Sequence, residues 1–444
     1  MSIHLSEHFT YKKLLRFVLP SIATVIFTSI YMIVDGLFVA RFVGKISFAA
    51  IGMVYPLLMI LGAFGSMIGT GGAAIVGKTL GEGNNEKANK IFSMLVYVML
   101  TIGTIFAVAG FFLLPEFLKL LGAEGELLNF SILYGRISLV GLPFFITEFA
   151  FQSFFVTAEK PQLGFYLTVI GGVTNILLDA LFIVVFDWGL VGAALATITS
   201  QILCVILELI YFGRKNDSLL KLTLKTKFYG EIFFKSCANG SSEIVNTSAM
   251  SIVAMLYNYQ LLKYIGENGV AAYTFIGYVA FIFAAIFFGY ELGVSPAVSF
   301  QFGAKGYDEL KNILRKSLTL VGIAGVTMFA LAQILAEPLA NIFVGYDKEL
   351  FDLTVHAFRI QAGAFLFMGF ASFGSAFFTA LNNGVLSAVI SFVRTFIFEI
   401  GCVMILPLIF GVDGIWFSII AAEVAACIVA ATILVQNRKK YQYA

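Results

Sequence analysis

Long apolar runs recur along the whole chain and are separated by short polar or glycine-containing breaks. A helix that crosses a bilayer needs about 20 mostly apolar residues, and twelve runs reach that length. We therefore predict twelve transmembrane helices, with almost no residues left for a soluble domain. The predicted spans, numbered 1 to 12, cover residues 14–39, 47–76, 91–114, 127–153, 163–186, 190–212, 234–262, 270–297, 313–335, 351–378, 386–409 and 413–435.

The composition agrees with a bilayer protein. Of 444 residues, 60% are hydrophobic and 12% are charged, whereas soluble domains have roughly 45–50% and 25%. The net charge of +2 gives no indication of a nucleic-acid partner, and we expect none. The four cysteines lie in or beside apolar runs without C-x-x-C spacing, so we predict no redox or zinc role.

The distribution of basic residues predicts the orientation. Twelve spans put both termini on one side of the membrane, and the loops and termini of that side carry 20 Lys and Arg residues against five on the other. The remaining three, Arg136, Arg359 and Arg394, lie inside spans. By the positive-inside rule both termini face the cytoplasm. We expect a multi-pass protein of the plasma (cytoplasmic) membrane.

A shift of 222 residues aligns the sequence with itself. Gly81 falls on Gly303, and Gly189 falls on Gly411. This repeat predicts an all-α polytopic protein in which two six-helix lobes are related by a pseudo-two-fold axis along the membrane normal. The predicted division is an N-lobe (residues 1–212), a basic cytoplasmic connector (213–233) and a C-lobe (234–444).

One motif suggests nucleotide binding, but its context argues against it. Residues 72–79 match G-x-x-x-x-G-K-[ST], yet a P-loop needs a preceding strand and a soluble fold, and this segment ends an apolar span. We therefore expect no cofactor. An ion gradient is the remaining energy source, since one charge crossing 100 mV supplies about 2.3 kcal/mol.

Acidic residues inside the spans are the candidate ion carriers, because each is costly to insert and demands a polar interior. Glu148, Glu208 and Glu291 lie toward cytoplasmic ends, where we favour a structural role with side chains that reach the surface. The complete set is Asp35, Glu148, Asp179, Glu208, Glu243, Glu291, Glu399 and Glu423.

Three spans carry a polar face at helical spacing, and we expect the three faces to meet. The faces are Thr24, Thr28, Tyr31 and Asp35 in span 1; Thr168, Gly172, Asn175 and Asp179 in span 5; and Thr197, Gln201, Cys204 and Glu208 in span 6.

Span direction puts Asp35, Asn175, Asp179 and Thr197 in the outer half of the membrane. Their oxygens are hard ligands suited to Na⁺, and two close carboxylates are equally suited to hold one proton. The alternative is that these polar groups only hydrogen-bond helices together.

The sequence resembles the multidrug and toxic compound extrusion (MATE) family of secondary transporters over essentially its whole length. The resemblance is carried by Pro20, Val34-Asp35-Gly36, Gly44, Asn175-Ile-Leu-Leu-Asp179, Gly192-Ala-Ala-Leu-Ala-Thr197 and the loop glycines Gly81 and Gly303. It implies two six-helix lobes, with Asp35, Asn175, Asp179 and Thr197 as an N-lobe site for H⁺ or Na⁺. It further implies that Tyr134 lies beside this site and that span 1 bends at Pro20. From the sequence alone, Pro20 could equally be a first-turn proline.

The C-lobe departs from one branch of the family, which uses carboxylates in helices 7 and 10. Span 10 has none, so a C-lobe ion site of that kind is not expected. The segment from Gly240 to Asn246 resembles the start of helix 7 in small-multidrug exporters, and Glu243 could contact substrate or serve in structural pairing. Our candidate substrate or cavity residues are Tyr31, Gln201, Glu243, Asn246, Arg394 and Glu399.

We predict a monomeric, ion-coupled antiporter, and not an enzyme, that exports amphipathic, cationic organic compounds. Eight acids against three arginines within the spans favour a cationic ligand, and abundant Phe, Met and Tyr suit apolar and cation–π contacts. One alternative is a flippase of a lipid-linked saccharide, for which the three arginines are little support. Another is a membrane-embedded enzyme, but His356 is the sole histidine within the spans and no catalytic set surrounds it.

Overall fold

The computed structural model describes residues 4–120, 123–345 and 347–443, which contain helices and connecting turns but no strands. Every predicted span coincides with a helix, and we number these α1 to α12. Their bounds are α1 Tyr11–Phe38, α2 Lys45–Gly81, α3 Asn85–Leu120, α4 Gly125–Thr157, α5 Pro161–Asp179, α6 Gly189–Gly213, α7 Gly230–Asn239 with Ser241–Tyr264, α8 Glu267–Gly303, α9 Tyr307–Val344, α10 Lys348–Gln361 with Phe365–Ala380, α11 Gly384–Phe392 with Ile400–Phe410, and α12 Val412–Tyr441.

Eleven helical stretches among the described residues are long and apolar enough to cross a bilayer. Helix α7 is the twelfth and does not meet the same apolar standard, because its sequence mixes Ser, Glu and Asn with apolar residues and is interrupted at Gly240. It packs against α2 and α8. An even number of crossings returns the chain to the side on which it began, which we call the terminal side.

Two hydrophobic cores organise the helices. One is built mainly from α2 to α6. The other is built mainly from α7 to α12, and it also takes in Leu5, Phe9 and the first turns of α1 at Leu14, Phe17 and Val18. The start of α1 therefore belongs structurally to the second half of the chain.

The lobes meet through glycines on the terminal side. Gly71 of α2 lies against α7 at Ser236 and Gly240, and Gly289 and Gly293 of α8 lie against the backbone of α1, which joins the C-lobe core at this level. A Cβ atom at any of these glycines would overlap the facing helix. Small residues permit such close helix packing in membranes, and here they allow helices to approach closely on the terminal side.

Three helices in the described part of the chain contain π-helical turns. One extends α1 at Val39–Val43, one extends α5 at Ala180–Val185, and one interrupts α11 at Val393–Glu399. Such turns are rare and often mark functional sites. The turn in α5 begins directly after Asp179, and the turn in α11 contains Arg394 and Glu399.

Candidate ion-coupling site

Helix α5 presents two polar side chains in its last two turns. It begins with Pro161 at its first position, where the missing N–H costs no helical hydrogen bond. Its far end carries Asn175 and Asp179, which are 2% and 0% exposed. Four residues separate them, so both side chains lie on one face of the helix.

Asp35 of α1 meets Asp179 of α5. The two carboxyl groups are close enough to share a hydrogen bond. Among the described residues, no donor reaches Asp35 Oδ1 or either carboxylate oxygen of Asp179, and these atoms are shielded from solvent. Two buried, unpaired carboxylates are unfavourable, so the pair requires a proton between them or a small cation.

Asn175 of α5 and Thr197 of α6 form a hydrogen-bonded pair beside the two aspartates. Asn175 Nδ2 donates to Thr197 Oγ1 over 3.5 Å, and Thr197 Oγ1 donates to the Ala193 carbonyl over 3.1 Å. Asn175 Oδ1 is buried and has no hydrogen-bond partner in the described part of the chain. Unpaired oxygens of an amide and two carboxylates form a hard donor set that fits Na⁺ as well as a shared proton.

Tyr134 of α4 borders the aspartate pair. It is 6% exposed, hydrogen-bonds with Ser138, and lies within the electrostatic reach of Asp35 and Asp179. The sequence reasoning missed Tyr55 of α2, which also interacts electrostatically with Asp35. A lone tyrosine in an apolar span gives no signal of its own, and only the packing of α2 reveals it.

Pro20 lies inside α1 and not in its first turn. The helix begins at Tyr11, nine residues earlier, so the first-turn alternative is wrong. Proline cannot donate the backbone hydrogen bond that residue 20 would make to the Arg16 carbonyl. The Thr24 hydroxyl donates to the Pro20 carbonyl over 2.9 Å. The helix therefore has a weak point within its terminal-side half.

Tyr31 and Gln201 pack beside the aspartate site. Tyr31 and Phe27 cover Gly172 of α5, where an added Cβ would touch both rings. Gln201 Oε1 faces Gly141 of α4. Both residues are partly exposed.

The C-lobe candidates form a separate group. Arg394 of α11 makes a bidentate ion pair with Glu423 of α12, with N–O distances of 2.6 to 3.1 Å. Glu399 interacts electrostatically with both. The sequence did not reveal this pairing. Arg394 is therefore neutralised within its own lobe.

Glu243 and Asn246 lie in the first turns of the second segment of α7 and are partly exposed. Glu243 interacts electrostatically with Glu291 of α8, which accepts a hydrogen bond from Ser372 over 2.5 Å. The structure thus brings Asp35, Asn175, Asp179, Thr197 and Tyr134 together, while Glu243 and Arg394 belong to the other lobe. Their functional roles stay predictions.

Comparisons with known proteins agree with a chain built from two similar halves. The MatE family model matches residues 20–181 and 244–405, two segments that start 224 residues apart. The chain is 23% identical to the multidrug export protein MepA of Staphylococcus haemolyticus (strain JCSC1435), over 98% of this chain and 96% of the relative. It is 23% identical to the probable multidrug resistance protein YoeA of Bacillus subtilis (strain 168), over 87% and 84%.

Solved structures share this fold. One, described as an outward-facing conformation of a multidrug resistance MATE family transporter of the MOP superfamily, has a TM-score of 0.93 at 21% identity, covering 99% of this chain and 98% of that one. Another, of a MOP superfamily transporter from Pyrococcus furiosus, has a TM-score of 0.91 at 21% identity, covering 99% and 98%. At this identity the likeness establishes the fold.

Proposed function

The chain belongs to the MatE family, and from this membership we propose that it is a multidrug exporter that works as a secondary active antiporter. Its substrates are amphipathic, cationic organic compounds, exchanged for H⁺ or Na⁺ by alternating access. The observation that carries the proposal is the pairing of Asp35 with Asp179, in which Asp35 Oδ1 and both carboxylate oxygens of Asp179 are shielded from solvent and lack hydrogen-bond partners among the described residues. A pair of this kind requires an ion, and its occupancy can differ between two conformations.

Coupling follows from differential binding. An ion can drive a conformational change only if it binds one state better than the other. Asp35 and Asp179 lie on different helices. An ion between them therefore stabilises the state in which α1 and α5 hold the two carboxyl groups next to each other. When the ion leaves, repulsion between the carboxylates favours a shift of α1, which bends at Pro20.

The energy supply is sufficient for export. One charge crossing 100 mV is worth about 2.3 kcal/mol, which supports a substrate gradient of roughly 50-fold. No nucleotide is needed, and residues 72–79, which match the P-loop pattern, lie within the continuous helix α2.

A cationic substrate is supported by the balance of charge. Glu243 of α7 and Glu291 of α8 interact with each other near the lobe contact, while the positive charge of Arg394 is held by Glu423. The other two arginines of the spans are also occupied: Arg359 pairs with Glu337, and Arg136 stacks on Phe111. These contacts give no support to phosphate binding by a lipid-linked saccharide.

The orientation completes the proposal. Under the positive-inside rule the terminal side is cytoplasmic, and glycine contacts close this side in the structure. The conformation is then the one that releases substrate outward.

The test is transport in proteoliposomes with independently imposed pH and Na⁺ gradients. We expect one gradient to drive accumulation of a fluorescent organic cation by the wild-type protein. The double variant Asp35→Asn, Asp179→Asn keeps side-chain size but removes both charges, and we expect it to lose the gradient dependence. Extrusion by this variant at the wild-type rate and with wild-type ion dependence would contradict the proposal.

A control separates coupling from folding. Glu116→Gln changes an exposed acid paired with Lys119 at the far side of α3, and it should transport like wild type. If both gradients leave the wild-type protein inactive toward the cation, the proposed antiport itself is wrong.

A further inference from the structure

A second pair of carboxylates lies in the N-lobe, toward the terminal side. Glu148 of α4 and Glu208 of α6 line one cavity with the polar side chains of Thr24, Gln152 and Thr168. Its volume is about 10 Å³, room for a single water molecule or a small bare cation. The cavity therefore lies where the polar faces of α1, α5 and α6 meet, closer to the terminal side than the aspartate pair.

Glu208 is buried and incompletely paired. It is 5% exposed, and its Oε2 atom lies away from solvent without a hydrogen-bond partner among the residues the structure describes. The charge of Glu148 acts on it. The sequence suggested that both acids reach the membrane surface, and for Glu208 this is wrong because α4 and α5 cover it. A buried carboxylate facing a cavity needs a proton or a cation.

The two acid pairs lie at different levels of the same helix faces. On α5, Thr168 lines the inner cavity and Asp179 belongs to the outer pair, eleven residues apart on one helix face. At 1.5 Å per residue their levels differ by about 16 Å. Helix α6 repeats the arrangement, with Thr197 at the outer level and Glu208 at the inner level.

We propose that Glu148 and Glu208 form an inner ion station, which receives the coupling ion from the Asp35 and Asp179 pair and releases it on the terminal side. This inference rests on the proposed antiport. If the ion is a proton, the outer pair loses it and one carboxylate of the inner pair gains it, and water on the terminal side finally accepts it. If the ion is Na⁺, the same carboxylates and hydroxyls coordinate it.

The wall of the cavity supplies a release mechanism. Ser21 and Thr24 of α1 and Leu292 of α8 contribute to it, and the start of α1 packs on α8 within the C-lobe core, where Gly293 lies against Val18. Glu148 and Glu208 are its two titratable lining residues, with Cys204 and Tyr31 within their electrostatic reach. Separation of α1 and α8 from α4, α5 and α6 therefore opens the inner station to the terminal side.

The decisive variants are Glu208→Gln and Glu148→Gln in the full-length protein, reconstituted in proteoliposomes. A pH gradient and a Na⁺ gradient are imposed in separate arms, with lumenal pH dye and ²²Na⁺ as ion readouts. We expect each variant to reduce ion flux and gradient-driven transport at least tenfold. Exchange of labelled for unlabelled organic cation without a gradient should stay within twofold of wild type, because it does not require ion release.

Matched variants keep the test interpretable. Glu208→Asp retains the charge and should recover part of the ion flux, and Glu86→Gln, an exposed acid paired with Lys90, should change nothing. If Glu208→Gln fails to fold, Glu148→Gln carries the test. Wild-type ion flux in the folded variant, or a tenfold loss of cation affinity with ion flux preserved, would overturn the inner station.

If the proposed antiport itself is wrong, the transport measurements give a different result. In that case the wild-type protein shows no gradient-driven transport, or the Asp35→Asn, Asp179→Asn variant stays fully coupled. If the outer variants uncouple transport and the inner ones do not, the antiport stands and the inner station is wrong.

Discussion

Gly81 of α2 and Gly303 of α8 each lie against a backbone carbonyl of the other lobe. Gly81 faces the carbonyl of Phe300, and Gly303 faces that of Lys78. The two contacts are related by the 222-residue shift found in the sequence, so the lobes meet symmetrically at this point. A Cβ atom on either glycine would overlap the facing oxygen. Only glycine allows this approach, so the contact ties the two lobes together on the terminal side.

Gly81→Ala and Gly303→Ala should each open the terminal side. Overpacking typically costs 1–3 kcal/mol, and a change of that size alters the ratio of two conformations by about 5- to 150-fold. Spin-label distances between Lys87 and Lys311, measured in a cysteine-free background, report the separation of the lobes there. We expect a longer-distance population in both variants.

Gly277→Ala is the control, because it lies on α8 and an added Cβ would meet nothing within 4 Å. Its distance distribution should match that of the parent protein. Unchanged distributions in Gly81→Ala and Gly303→Ala would mean that the glycine contact does not hold the lobes together.

Residues 4–10 form an N-terminal strap between the lobes. Glu159, between α4 and α5, accepts a hydrogen bond from the Leu5 amide over 2.6 Å, and Glu309, at the start of α9, accepts one from the Phe9 amide over 2.8 Å. Hydrogen bonds to charged groups contribute about 1.5–3 kcal/mol. Glu159→Ala and Glu309→Ala should therefore speed hydrogen exchange at Leu5 and Phe9 respectively, by tenfold or more.

Each variant should act mainly on its own end of the strap. Glu7→Ala removes a more exposed partner of Lys13 and should leave both amides protected. Equal protection of Leu5 and Phe9 in all three variants would show that packing alone holds the strap.

The ion pair of Arg394 and Glu423 should contribute strongly to C-lobe stability. The side chains are 15% and 4% exposed, and removing one partner of a buried pair costs about 3–5 kcal/mol because the other charge stays buried. Arg394→Met should lower the apparent melting temperature markedly. The double variant Arg394→Met, Glu423→Met should recover much of the lost melting temperature.

The exposed pair of Arg359 and Glu337 offers the comparison. Its side chains are 45% and 60% exposed, and surface pairs contribute little, so Arg359→Met should shift the melting temperature only slightly. A double variant as unstable as Arg394→Met alone would point to a requirement for Arg394 beyond its pairing with Glu423.

The sequence predicted the features that depend on local pattern. Apolar length predicted every helix, and spacing along α5 together with helix direction predicted that Asp35 and Asp179 lie at one level. Hydropathy described α7 least well, because its polar residues pack against α2 and the lobe contact instead of lipid. In that helix tertiary burial matters more than local composition.

Features that depend on contacts between helices could not be predicted from the sequence. Arg394 and Glu423 are 29 residues apart on different helices, and no spacing rule joins them. Glu208 lies five residues before the end of α6, which suggested an exposed position, but it is 5% exposed and lines a cavity together with residues of α4 and α5. The π-helical turn after Asp179 likewise has no signature in the residue types of α5.

Helix α1 should depend on Pro20 for its motion. Asp35 lies 15 residues farther along, about 22 Å at 1.5 Å per residue, so a small bend at Pro20 displaces the aspartate by several ångströms. Pro20→Ala restores an N–H that can bond to the Arg16 carbonyl, and an interior proline costs a helix about 3 kcal/mol. The variant should have a stiffer α1 and a lower turnover rate.

The defect should be kinetic, because Asp35 and Asp179 are untouched. We expect the ion concentration for half-maximal transport to change less than twofold while the maximal rate falls about tenfold. Pro161→Ala is the matched control, since that proline occupies the first position of α5 and leaves no helical bond unmade. If Pro20→Ala transports as fast as Pro161→Ala, α1 moves as a rigid body and the ion must act on its packing instead of its bend.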